Sequence, residues 1–166
     1  LASSLDAAPK IEPRTVTWLF IMASLPLIAM PVIYSQWPVG SAWHVAGFAR
    51  MMEAGHPMML PLVLIAAFSL LRVLRNGSFA SSPAKAAFIA SFLLFATGGV
   101  LAYMIRGVNV VIPAHYHGSI VGITLAFMGL TYVLLPRLGF SEATGKMARW
   151  QPYVYGGGQM MHEIGR

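Results

Sequence analysis

No cysteine occurs anywhere in the 166 residues. That excludes disulfides, thiolate metal sites and iron–sulfur clusters, so any bound metal must rest on histidine, methionine or carboxylate. Charge is almost as scarce. Only 10% of the residues are Asp, Glu, Lys or Arg, where soluble domains carry roughly 25%. A chain so poor in charge cannot cover a water-facing surface, and an ordinary soluble domain is excluded. Acids are scarcest of all, five against eleven Lys and Arg. The net charge of +6 is read as loop charge that orients membrane helices, not as a nucleic-acid surface. The sequence shows no internal repeat, and Ala2–Pro13 does not read as a basic-then-apolar leader, so a signal peptide is not expected.

What is abundant is apolar: 57% of residues are hydrophobic and the mean hydropathy is +0.69. A spanning helix needs about 20 mostly apolar residues. Four such runs are present: Thr15–Tyr34, which Pro26 and Pro31 should kink; Pro57–Leu74, with proline in its first turn; Lys85–Ile105; and His115–Leu135, ended by Pro136. A fifth begins near Trp150. The predicted fold is all-α, a polytopic membrane helix bundle of four complete transmembrane helices plus the start of a fifth. Residues 1–166 are expected to form one transmembrane domain, part of a longer or split subunit.

The cations set the expected topology. Arg72, Arg75 and Lys85 lie between the second and third runs, Arg137, Lys146 and Arg149 follow the fourth, and Lys10 and Arg14 precede the first. The intervening stretches Ser35–His56 and Arg106–Ala114 hold only Arg50 and Arg106. The positive-inside rule puts the richer joins in the cytoplasm. The fourth helix then starts at the outer face, and Ser35–His56, with Trp37, Trp43 and Phe48, reads as an outer interfacial loop.

The sharpest local feature is Pro113-Ala114-His115-Tyr116-His117-Gly118, which opens the fourth run with two imidazoles. Ionisable side chains at membrane depth are functional candidates by default. Positions i and i+2 lie about 200° apart around a helix, so the two rings point to opposite sides. Such a pair does not grip one ion, as an i,i+4 pair can. It can ligate two separate groups, one on each flank. Haem iron takes an axial imidazole, and one helix held between two haems is the simplest chemistry for this spacing. Two interfacial histidines that merely meet water fit the spacing as well. Gly118 and Gly122 add small surfaces where a flat macrocycle or a neighbouring helix can come close.

The stretch from Ile112-Pro113-Ala114-His115-Tyr116-His117-Gly118 through Leu135-Pro136-Arg137-Leu138-Gly139 resembles the tenth helix of haem-copper oxidase catalytic subunits and of the related nitric oxide reductases. In that family the helix carries a His-x-His pair near the outer face and runs inward to a Leu-Pro end. The first histidine holds the high-spin haem and the second the low-spin haem. The resemblance therefore implies His115 as proximal ligand of a reactive haem and His117 as ligand of an electron-donating haem. It also gives Arg106 a haem propionate to pair with, through charge-assisted hydrogen bonds. Weaker likeness covers Thr15–Gln36, Met51–Leu71 and Ala84–Ile105, similar to the seventh, eighth and ninth helices, and Trp150–Gln159 would open a later one.

On that register Val32-Ile33-Tyr34-Ser35-Gln36-Trp37 stands where the family has a His-His pair for a distal copper. Hydroxyl and amide oxygens are poor copper ligands, so either a partner chain supplies the ligands or this relative has lost the metal. Gly55-His56-Pro57 is similar to a copper-binding motif of the sixth helix, but Met58-Met59 replaces the Glu-Val that follows. His56 is read as an interfacial histidine at a helix start. Glu53 stands near glutamates of the nitric oxide reductases and is read as a water-facing residue paired with Arg50. His44 and His162 have no partners in sequence and are read as interfacial.

The function this implies is a membrane subunit of a haem-copper-type respiratory terminal oxidase, multi-pass in the inner cell membrane. It would hold high-spin and low-spin haem, take electrons from cytochrome c or quinol, and pass them to dioxygen. Other membrane subunits and lipid are the expected partners, with no nucleic acid. A nitric oxide reductase-like subunit is the rival within the family. A non-catalytic haem-binding electron-transfer or structural subunit without the distal copper is the rival outside it.

Overall fold

The computed structural model describes residues 1–75, 82–105 and 110–165. Among them the chain is helical without strands: α1 (Pro13–Ser24), α2 (Ala29–Gln36), α3 (Ala42–Arg75), α4 (Pro83–Met104), α5 (Val111–Leu134) and α6 (Lys146–Ile164). Pro13–Gln36, Ala42–Arg75, Pro83–Met104 and Val111–Leu134 are each long and apolar enough to cross a bilayer. The protein is an all-α membrane helix bundle. The fifth helix expected near Trp150 is α6, nineteen residues long.

Local chemistry explains the breaks. Pro26 lacks an N–H and its ring crowds the carbonyl four residues back, and there a 3₁₀ turn, Leu25–Ile28, separates α1 from α2. Ser82 accepts a hydrogen bond from the Lys85 amide at 3.2 Å, and Pro83 follows at the first helical position, so α4 opens with both standard start signals. After α5, Pro136 heads a short 3₁₀ turn that ends at Gly139, whose φ of 85° suits a residue without a Cβ.

Helix α3 departs from expectation. The stretch Ser35–His56 is not a loop: helix α2 runs to Gln36, and α3 begins at Ala42, fifteen residues before Pro57. The Ser41 hydroxyl accepts from the His44 amide at 3.2 Å and caps the new start. Pro57, expected in a first turn, lies inside the helix together with Pro61. Membrane helices tolerate this because neighbouring groups satisfy the freed carbonyls.

The chain forms two compact units, Leu1–Ala8 with Ala67–Arg166, and Pro9–Ala66. In the first, α4, α5 and α6 pack on one another. Its core has two clusters. Ala7, Leu70, Val73, Phe88 and Ile89 gather where Leu1–Ala8 meets the C-terminal turns of α3 and the start of α4. Ala90, Leu94 and Leu125, with Val121, Met128 and Met160, join α4, α5 and α6. Arg72 Nη1 donates to the Ala8 carbonyl at 3.3 Å and ties the N-terminal segment down.

Glycines let the helices of this unit touch. A Cβ on Gly118 would stand 2.8 Å from Gly98 Cα, and one on Gly122 would stand 2.9 Å from the Phe95 backbone nitrogen. Small residues allow such backbone approach where van der Waals packing, not water exclusion, holds helices together. Helix α6 runs antiparallel to α5: the Tyr132 hydroxyl donates to Gln151 Oε1, Gly156 meets Leu125, and His162 meets His117.

In the second unit, α2 lies against the first turns of α3. Ile33 is buried against Gly47, Pro26 touches Gly55, and the rings of Tyr34, His44 and Phe48 meet at 5.0–5.3 Å.

Candidate functional site

Both sequence-predicted imidazoles lie in the first two turns of α5, half-buried, and they turn to different neighbours. His115 Nδ1 is 2.8 Å from the Gly98 carbonyl of α4. A carbonyl oxygen only accepts, so Nδ1 is the nitrogen that carries the proton. In the neutral form of the ring Nε2 then keeps its lone pair, and that nitrogen has no hydrogen-bond partner among the described residues. Histidines that ligate metals are commonly oriented in this way, with the second ring N–H given to a backbone carbonyl. The Ser119 hydroxyl, one turn on, lies 3.5 Å from the same Nδ1.

His117 faces α6. Its ring stacks on His162, with centroids 5.0 Å apart and planes inclined by 18°. The divergence expected from an i,i+2 spacing is therefore present, one ring toward α4 and the other toward α6. Between them Tyr116 is exposed, its ring centroid 5.3 Å from that of His115.

Glu163 completes this end of the bundle. It is 4% exposed, and neither carboxylate oxygen has a hydrogen-bond partner among the described residues. Its Oε2 lies 3.0 Å from the position a Cβ on Gly118 would take. Buried carboxylates without partners are costly, so the position of Glu163 calls for a reason. Sequence reading misses Glu163 because nothing local distinguishes it. Its place depends on α6 folding back along α5.

The remaining candidates fare differently. Arg106 lies outside the described residues. Gly118 and Gly122, open in sequence to a macrocycle or a helix, are occupied by α4. Glu53 and Arg50 are both exposed and form no ion pair with each other among the described residues, against the expected pairing. His56 is exposed but sits within α3 rather than at a helix start. His162 is exposed, yet it has the His117 ring as a partner.

His44, expected at an interface, is buried with Tyr34 and Phe48, and its Nε2 has no hydrogen-bond partner among the described residues. The four-residue spacing of His44 and Phe48 is the sequence signal that could have placed them on one helix face.

The groups implied by the resemblance place two different demands on these donors. For haem, His115 fits: one nitrogen is engaged, the other offers a lone pair, and the ring is held by a rigid backbone group. For a copper held by three imidazoles, the fit fails. No three His, Cys, Asp or Glu side chains converge among the described residues, and Val32–Trp37 contains no histidine.

No family model matches the chain, and no solved structure matches it. Over 48 residues, 29% of the chain, it is 54% identical to an uncharacterised protein of Rickettsia prowazekii (strain Madrid E), of which the match covers 9%. Over 94 residues, 57% of the chain, it is 30% identical to an uncharacterised protein of Aquifex aeolicus (strain VF5), of which the match covers 23%. The chain thus spans less than a quarter of the length of these curated relatives.

Proposed function

We propose that this chain is a haem-ligating part of a haem-copper-type respiratory terminal oxidase, multi-pass in the inner cell membrane. Electrons would come from cytochrome c or quinol, and other membrane subunits would complete the complex. The observation that carries the reading is the His115 ring, tied through Nδ1 to the Gly98 carbonyl, with Nε2 left to ligate.

Haem bound here would supply one-electron redox chemistry and, at an iron with an open position, a place for dioxygen. The chain's own residues do the rest. The Gly98 carbonyl holds the His115 tautomer and makes Nε2 a better donor. The His162 ring limits rotation of His117. The α5 backbone fixes the two rings about 200° apart, so the groups they ligate would flank one rigid helix. The α4–α5 seam is close-packed beside the His115 ring, at Gly98 against Gly118 and at Phe95 against Gly122.

A second reading, a non-catalytic haem-bearing electron-transfer subunit, is favoured by the absence of imidazole from Val32–Trp37. The resemblance also admits nitric oxide in place of dioxygen.

Reduced-minus-oxidised and carbon monoxide difference spectra of the purified full-length protein test these readings. A high-spin band that carbon monoxide shifts, beside a low-spin band that it leaves alone, supports the oxidase. One low-spin band that ignores carbon monoxide supports electron transfer. A preparation without any haem band contradicts both.

A further inference from the structure

The second unit holds an open cleft of about 640 Å³ between the α1–α2 side and the first turns of α3. Leu25, Ile28, Val32 and Ile33 line it from one side, Trp37 stands at the end of α2, and Arg50 enters from α3. The size is within the usual range for small-molecule sites, roughly 300–1,000 Å³. Apart from Arg50 the lining is apolar, so water gains little by filling it.

Arg50 is what gives the cleft a chemical preference. It is exposed and has no hydrogen bond or ion pair among the described residues, although Glu53 lies one turn further along the same helix. A guanidinium beside an apolar slot matches an amphiphile with an anionic oxygen cluster at its head. Arginine binds phosphate oxygens through two parallel N–H donors. Trp37, at the turn between α2 and α3, is a residue type enriched at the headgroup level.

We infer that this cleft binds an anionic phospholipid, its acyl chain along Leu25, Ile28 and Val32 and its phosphate on the Arg50 guanidinium. A zwitterionic lipid offers the same chain but a headgroup cation that competes with Arg50. A quinone offers neutral carbonyls and no charge for the guanidinium to meet. The site is independent of the haem reading, since none of its lining residues is a proposed haem ligand.

Native mass spectrometry of the full-length protein, titrated with phosphatidylglycerol or with phosphatidylcholine of the same acyl chains, tests the inference. Wild type should retain phosphatidylglycerol roughly tenfold more tightly, the size of one charge-assisted contact. Arg50→Gln should lose that preference, and Val32→Trp, which fills the cleft from an exposed position, should weaken both lipids alike. Equal retention of the two lipids by wild type, or an unchanged preference in Arg50→Gln, would overturn it. So would a wild type that retains neither lipid, because another part of the protein then covers the cleft. Displacement of phosphatidylglycerol by a short-chain quinone that ignores Arg50→Gln would also contradict the assignment.

Discussion

The imidazole of His162 on α6 lies over that of His117 on α5, with ring centroids 5.0 Å apart and planes 18° from parallel. The two residues are far apart in sequence, and they meet because α6 returns along α5, anchored by Gly156 against Leu125 and by the Tyr132–Gln151 hydrogen bond. In the proposed function this stack fixes the plane of a haem-ligating ring. Orienting partners of metal ligands are worth about 10- to 100-fold in affinity. His162→Ala should therefore lower low-spin haem occupancy by at least ~10-fold and broaden its electron paramagnetic resonance signal. His162→Phe, which keeps a flat ring, should restore both. Carbon monoxide binding on the His115 side should stay unchanged in each variant.

Gly118 and Gly99 make opposite predictions for the same substitution. A Cβ on Gly118 would meet Gly98 Cα at 2.8 Å and Gly98 N at 2.9 Å, both backbone atoms that cannot step aside. Helix α4 would have to move, at a cost of about 1–3 kcal/mol. A Cβ on Gly99 meets nothing within 4 Å, and alanine there should stabilise the helix by up to about 1 kcal/mol. Thermal unfolding of the two variants in one detergent checks the contrast. A Gly118→Ala protein as stable as wild type would show that the α4–α5 seam is looser than described.

Glu163 carries a measurable burden. Its carboxylate is buried without a hydrogen-bond partner among the described residues, and an unsatisfied buried polar group costs roughly 1–3 kcal/mol. Glu163→Met preserves the volume approximately and removes the charge. It should raise resistance to denaturant by about 1–3 kcal/mol. A loss of stability instead would mean that a partner from elsewhere in the full protein satisfies this carboxyl.

How far the sequence reaches is clearest at α5. The divergence of His115 and His117 follows from helical pitch alone, and the rings do face different helices. The end at Pro136 follows from backbone chemistry, whereas α4 starts at Pro83, two residues before the expected Lys85, because Ser82 and Pro83 supply a cap and a first turn that hydropathy alone passes over. The role of Gly118 and Gly122 is not legible, because a macrocycle and a helix both need the missing Cβ. Only the position of α4 decides it.

The stretch Ala42–His56 misleads for a different reason. It carries His44, Arg50, Glu53 and His56, so hydropathy marks it as loop. A helix cares about caps and breakers instead, and Ser41 supplies the cap while no proline intervenes before Pro57. His162 and Glu163 lie beyond sequence reading altogether, since α6 carries Gly156-Gly157-Gly158, poor helix formers, and nothing local in the sequence says that it folds back along α5.

Optical spectra of His115→Ala and His117→Ala, prepared side by side with wild type, test the central claim most directly. Two imidazoles serving two different irons predict that the first variant loses the carbon monoxide-sensitive haem and keeps the low-spin band, and that the second does the reverse. Full haem content and an unaltered carbon monoxide response in both variants would contradict the account.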